Sequence, residues 1–438
     1  MKGLQAARRT VTAAGLGLIT QAALPRLARA QAPRVIRFSW WGGSGRHAAT
    51  LKALSLFESR HPGVRVKAEY MGFNGYLERL TTQIAGRNEP DVMQVNWAWV
   101  AMFSKRGTGF YDLNQARDLL DLKQFSPNDL QTGLVQDKLN GLPASFSARV
   151  LIWNHTSFQR AGLQTPQNWD DLFNAGGAFQ SRLGRDYYPI DGELYDMVLL
   201  SQALVEQTYG TPFLSPSEPR VAMSQQAAEL WVETYLKLVR QKTAVPLPLR
   251  ASLGGAEKPT EQQQDWVKGR WAGNYAWDST IPLRLSTLTP EQRIVLGAFP
   301  MLTNAKASGL FGRPTLMYTA SRNTREPELS CQLINFLLTD PEAAAILGRT
   351  RGIPAPKSSQ AALLKAIKIP ELEWSAYQQI RDFRDRGLVA VPSMLFEHAR
   401  MQKFMREVFE TVAYGKSDAR TAATRLTRDG ESLLRRIR

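Results

Sequence analysis

The sequence is short of the residues that most often announce a chemistry. It has one cysteine in 438 residues, Cys331, set in the apolar pattern Leu329 to Leu338. A single thiol cannot close an intrachain disulfide, and its setting predicts a buried, inert side chain. The four histidines (47, 61, 155 and 398) lie too far apart for metal-ligand spacing, so no metal is expected. H-E-x-x-H, G-x-S-x-G and paired cysteines are missing, and no cofactor is predicted. Tyr414-Gly415-Lys416-Ser417 ends like a phosphate loop, but Glu410 stands where the first glycine is required. Acidic residues are spread evenly, and nothing singles out a catalytic pair. Beyond the first thirty positions no run of about twenty apolar residues occurs, which excludes a spanning helix. Internal repeats and low-complexity segments are also missing.

Charge of one sign is in surplus. Lys and Arg number 55 against 39 Asp and Glu, a formal +16. Lys2, Arg8, Arg9, Arg26 and Arg29 flank a mild apolar run, Val11 to Leu24, and a small-x-small stretch, Ala28-Arg29-Ala30-Gln31-Ala32. Residues 1–32 therefore read as an export signal, and the adjacent Arg8 and Arg9 point to the twin-arginine route. Removing residues 1–30 leaves 50 basic against 39 acidic residues, a net +11. That balance suits an anionic ligand, nucleic acid or a membrane surface, and equally an Arg-rich solvated surface. The basic stretch Arg420 to Arg438 reads as one side of a solvated amphipathic helix, so no nucleic-acid partner is expected. No cysteine follows the signal to carry a lipid anchor, and a soluble monomer in a periplasm is the expectation.

The opening of the exported part is the most organised. Arg34 to Trp40 is a predicted strand, His47 to His61 a helix, and Val64 to Tyr70 a strand whose alternation with Arg65, Lys67 and Glu69 exposes one face. Asn74 to Gly86 returns to helix, and Asp91 to Asn96 is the third strand. Strand and helix alternating over short joints predict a doubly wound α/β unit, whose ligands bind at the carboxyl ends of the strands. Those ends read Trp40-Trp41, Gly72-Phe73-Asn74 and Asn96-Trp97-Ala98-Trp99. Ala144 to Trp153 is a long strand leaving the unit, with a first crossing near Ala144 to Phe146. Trp271 to Trp277, Val295 to Pro300 and Leu316 to Ala320 are further strands, and Arg351-Gly352-Ile353-Pro354 offers a last crossing. The expected division is 33–145 with 301–350, and 146–300 with 351–438.

Eleven tryptophans, several beside Gly, Asn or Arg, are what the sequence has in excess. Indoles stack on the apolar faces of sugars, while amides and guanidinium groups take hydroxyls and carboxylates. Carbohydrate binding is the expectation.

Residues Phe38 to Gly45, Glu89-Pro90-Asp91-Val92-Met93-Gln94, Gly269-Arg270-Trp271-Ala272-Gly273 and Ile334 to Asp340 make the exported chain resemble the family 1 extracellular solute-binding proteins of carbohydrate ABC importers. Ser39 to Gly43, Arg46-His47, Leu80 to Gly86, Pro90 to Trp99, Phe110 to Asn114 and Trp277 to Thr280 are most similar to the oligogalacturonide-binding members. The resemblance implies a two-lobe α/β periplasmic binding protein fold with an interlobe cleft, an acidic oligosaccharide ligand, two permease subunits as partners, and no bond chemistry. Ser44-Gly45 stands where that subgroup usually carries an amide, which leaves the sugar open. Ligand contacts are expected from Trp40, Trp41, Asn96, Trp97 and Trp99, of which three should touch ligand; from Arg46, at a helix start; and from Trp277, Asp278 and Ser279 in the second lobe. Arg149 needs an anion, either ligand or an internal Asp or Glu. Arg313, in a Gly-Leu-Phe-x-basic-Pro loop, completes the set, with Asn274 and Arg351 as weaker candidates. The rival readings are an exported uronate-acting polysaccharide lyase, a binding protein for neutral oligosaccharides, and a basic surface adhesin.

Overall fold

The computed structural model describes residues 33–437 apart from 217, 257 and 391; the expected signal, 1–32, lies outside the described residues. The first unit runs β1 (Arg34–Trp41), α1 (Ser44–Arg60), β2 (Val64–Met71), α2 (Tyr76–Ala85), β3 (Val92–Asn96) and α3 (Trp97–Phe103). A small hairpin, β4 (Leu134–Val135) and β5 (Lys138–Leu139), precedes β6 (Leu142–Asn154), β7 (Gly273–Trp277), β8 (Ile294–Leu296) and β9 (Gly312–Ala320). One sheet has the order β2-β1-β3-β9-β6-β7, with β8 also on β6. β1 is parallel to β2 and β3, whereas β9 is antiparallel to β3 and β6. The half-solvated alternation of residues 64–70 is that of an edge strand, and β2 occupies the edge.

Two cores form on this sheet. One contains Ile36, Phe38, Trp97, Leu142 and Ala144, then Leu316 to Ala355; the other contains Ala148 to Phe311 and Ala376 to Ile437. β6 serves both. Its first half pairs with β9, Leu142 opposite Tyr318 through Ala148 opposite Gly312, and its second half pairs with β7 and β8. β9 starts at Gly312; Leu310 and Phe311 pack in the second core and Leu316 in the first. The last passage follows Ala355, which is still in the first core. The architecture is therefore α/β with two lobes.

Glu206, on the helix Leu194–Tyr209 of the second lobe, has no cationic partner among the described residues; it accepts a 2.6 Å hydrogen bond from Gln202 Nε2. Burial pushes its carboxyl up to about 7. A folded value above the unfolded one means that the native state holds a proton the unfolded chain has lost, so stability falls as pH rises from about 4.5 through about 7. Glu206→Gln removes that burden and supplies an amide donor for Gln202 Oε1, which has none. The variant should be more stable by up to about 3 kcal/mol near pH 8 and gain little near pH 5, read from thermal unfolding at both.

Candidate functional site

At the carboxyl end of the first lobe's sheet the rings gather. Trp41 and Trp99 lie 5.3 Å apart between centroids, Trp41 and Tyr76 5.1 Å, and Trp41 and Phe73 5.8 Å; Phe73 and Trp99 stack at 17°. Phe73 is 55% exposed and Trp99 half-buried, so the cluster has an open side. Trp40 faces the other way along the strand. It is fully buried under Tyr70, and its Nε1 donates to His47 Nδ1. Trp97 is also sealed, donating to the Thr132 carbonyl. Neither ring has a face left for a ligand, because strand alternation places Trp40 beneath its β2 neighbour, and α3 begins at Trp97 and turns that ring inward. Asn96 is the N-cap of α3, its Oδ1 accepting from the Ala98 N-H at 3.0 Å.

The second group sits where β6 and β9 cross between lobes, beside the end of β7. Trp277 pairs with Arg149 across the strands, and Ser147 with Arg313, so all four side chains share one face. The Arg149 and Arg313 guanidinium carbons both lie 4.7 Å from the Trp277 ring centre. Each cation is matched internally: Arg149 by Asp196, and Arg313 by Glu397 at 2.5 Å. Burial raises the Asp196 carboxyl against the pull of Arg149. Asp278 accepts from the Ser147 hydroxyl and from the Ala148 N-H at 3.2 Å, tying β7 to the crossing; burial pushes its carboxyl up to about 6. Ser279 is exposed beside it. The turn Met394–Glu397 links the groups, since Glu397 holds Arg313 while Met394 packs on the first core and the turn meets α3.

Arg46 differs from the other two. It folds back over Gly42, where a Cβ would lie 2.5 Å from its Cδ, and donates to the carbonyls of Trp41 at 2.9 Å and Thr350 at 2.8 Å. Among the described residues it has no carboxylate partner, and burial together with the nearby Arg351 pushes its guanidinium down to about 10. Phe73, Tyr76, Glu397 and Arg351 are the neighbours that sequence reasoning omitted or ranked low. Phe73 was readable from its place at a strand end, but Glu397 carries no local signal. Asn274 is buried, bonded to Thr260 and Arg284. A cavity of about 690 Å³ between the lobes lies on the opposite sheet face, by Phe146, Asp129, Tyr377 and Arg384, and contains none of the expected ligand residues. No group of three or more His, Cys, Asp or Glu that could hold a metal occurs among the described residues, and none of their helices is long and apolar enough to cross a membrane.

Comparison with known proteins finds similarity over most of the chain. A periplasmic oligogalacturonide-binding protein of Yersinia enterocolitica is 37% identical, with a TM-score of 0.84 over 92% of this chain and 99% of that one. Its structure with saturated digalacturonic acid scores 0.76 at 36% identity, over the same shares. A designed cysteine esterase is also similar, at 36% identity and a TM-score of 0.86 over 93% of this chain and 100% of the design. A Brucella abortus protein named as a binding protein is 29% identical over 134 residues, 30% of this chain and 32% of that relative's length, so the match spans about a third of it. Residues 43–344 match the family described as bacterial extracellular solute-binding protein, and the chain belongs to that family.

Proposed function

We propose that this protein is the periplasmic binding component of an ABC importer for acidic oligosaccharides of the oligogalacturonide kind. The observation that carries this reading is the contrast among arginines: Arg149 and Arg313 are matched by Asp196 and Glu397, whereas Arg46, on the first turn of α1 just after Trp41, has no carboxylate partner among the described residues. A uronate offers a ring face to the indoles and a carboxylate to the guanidinium. The first lobe holds the sugar, the second closes over it at the β6 and β9 crossings, and the closed form docks on two permease subunits. A monomer exported to the periplasm fits this role. The Yersinia relative's name supports the ligand class. A lyase is disfavoured by architecture, the mixed sheet being neither a β-helix nor an α-toroid; incubation with polygalacturonate should give no protein-dependent rise in ultraviolet absorbance from new double bonds.

A thermal-shift screen tests the ligand class. Digalacturonate should stabilise by about 2.7 kcal/mol at a hundredfold excess over its dissociation constant, and maltooligosaccharides should not. Arg46→Met should weaken digalacturonate by about 1.5–3 kcal/mol, roughly ten- to a hundredfold, by calorimetric titration. Stabilisation by neutral sugars alone would move the assignment to neutral oligosaccharides, the reading favoured by the internal pairing of Arg149 and Arg313.

A further inference from the structure

The segment leading into the last passage between the lobes contains a cluster with too many donors. Arg351 is 8% exposed; its Nε donates to Gln94 Oε1 and its Nη2 to Thr50 Oγ1, both at 2.9 Å, while Nη1 has no acceptor among the described residues. Tyr318 is 1% exposed, and its hydroxyl is likewise without a partner. The Arg351 guanidinium carbon is 5.8 Å from the Tyr318 ring centre, and the charge of Arg46 is felt at both residues. The nearby acceptors are already engaged: Gln94 and Thr50 by Arg351, and the carbonyls of Trp41 and Thr350 by Arg46. A cavity of about 30 Å³ lined by Tyr318, Thr350, Arg351, Gly352, Leu337 and Leu347 adjoins them. It has room for about one water-sized occupant.

A guanidinium stays charged in proteins, and one as buried as that of Arg351 needs a negative partner. Burial lowers the affinity of Arg351 for its proton, and no carboxylate acts on it. A water molecule would accept the stray hydrogen bonds but leave the charge uncompensated; an anion does both. We propose that Arg351 and Tyr318 form a buried site for a small monovalent inorganic anion, chloride in ordinary solution, that fastens the segment leading into the last interlobe passage. Arg351 ties that segment to the first passage, since its carbonyl accepts from the Ser145 hydroxyl. The site is separate from the open aromatic shelf and does not depend on which sugar binds there.

Diffraction from crystals grown with bromide tests this. An anomalous peak within hydrogen-bond reach of Arg351 Nη1 and the Tyr318 hydroxyl is expected. In solution the ligand-free protein should melt several degrees higher in chloride than in gluconate at equal ionic strength. Tyr318→Phe, which removes one donor and keeps the guanidinium network, should reduce that difference; Arg351→Met should abolish it if the variant folds. Equal melting in both salts with no anomalous peak would overturn the proposal, leaving water as the occupant. Displacement of the bromide by digalacturonate would overturn it in another way, handing the cluster to the ligand's carboxylate. Failure to bind any acidic sugar leaves the bromide result unchanged, so the two readings fail separately.

Discussion

Asp191→Ala is expected to cost about 3–5 kcal/mol, the range for removing one partner of a buried ion pair. Asp191 and Arg250 both have fully buried side chains, joined by Arg250 Nε to Oδ1 at 2.9 Å and Nη2 to Oδ2 at 3.3 Å. Arg250 also donates to the carbonyls of Ala256 and Lys258, and Thr260 donates to Asp191 Oδ2 at 2.6 Å. Without the carboxylate, a guanidinium that cannot shed its proton is left charged in the interior, and the segment 250–260 loses its anchor. Asp191→Asn keeps the shape and should cost less, because Arg250 retains an oxygen acceptor. Thermal unfolding orders the three proteins, and hydrogen exchange should show the loss concentrated in 250–260. Equal stability of the Ala variant and the parent would mean that the pair's desolvation cost had cancelled its attraction and that the guanidinium finds water when the acid is removed.

The difference between a matched and an unmatched arginine also marks how far the sequence could be read. β1, α1, β2, α2 and β3 were legible because each has a solvated face, which imprints a period on the sequence: Val64, Val66, Ala68 and Tyr70 alternate with Arg65, Lys67 and Glu69. β6 has no such period. Nearly all of its residues are buried on both faces, so a strand serving two lobes reads like one serving a single core. Trp40 and Trp41 are the same letter twice, yet one lies under Tyr70 and the other joins Trp99, through neighbours that only the β1-β2 register and the start of α3 bring close. The partner of Arg149, Asp196, is 47 residues away, and that of Arg313 is on a turn near the far end of the chain. A ligand-binding guanidinium and a structural one share every local feature, and their pairing is settled by tertiary packing alone.

That distinction gives the last expected result, at Trp99. Trp99→Ala should weaken acidic oligosaccharide binding by about 2–4 kcal/mol, the size of effect reached when a central aromatic contact is removed. It is half-buried and lies at 17° to the exposed Phe73 and at 20° to Tyr76, so the three rings are nearly parallel. Part of any loss could come from collapse of the cluster, and Trp97 supplies the control from the same helix. Trp97→Phe removes the indole N-H that donates to the Thr132 carbonyl at 2.9 Å inside the core, so it should lower the melting temperature while leaving the dissociation constant within about twofold. Trp99→Phe, which keeps a ring face, should recover much of the affinity lost in the Ala variant. Calorimetric titration with digalacturonate alongside thermal unfolding separates the two effects. If Trp97→Phe lost affinity as steeply as Trp99→Ala, the shelf would be a structural cluster and the sugar would have to bind elsewhere along the junction.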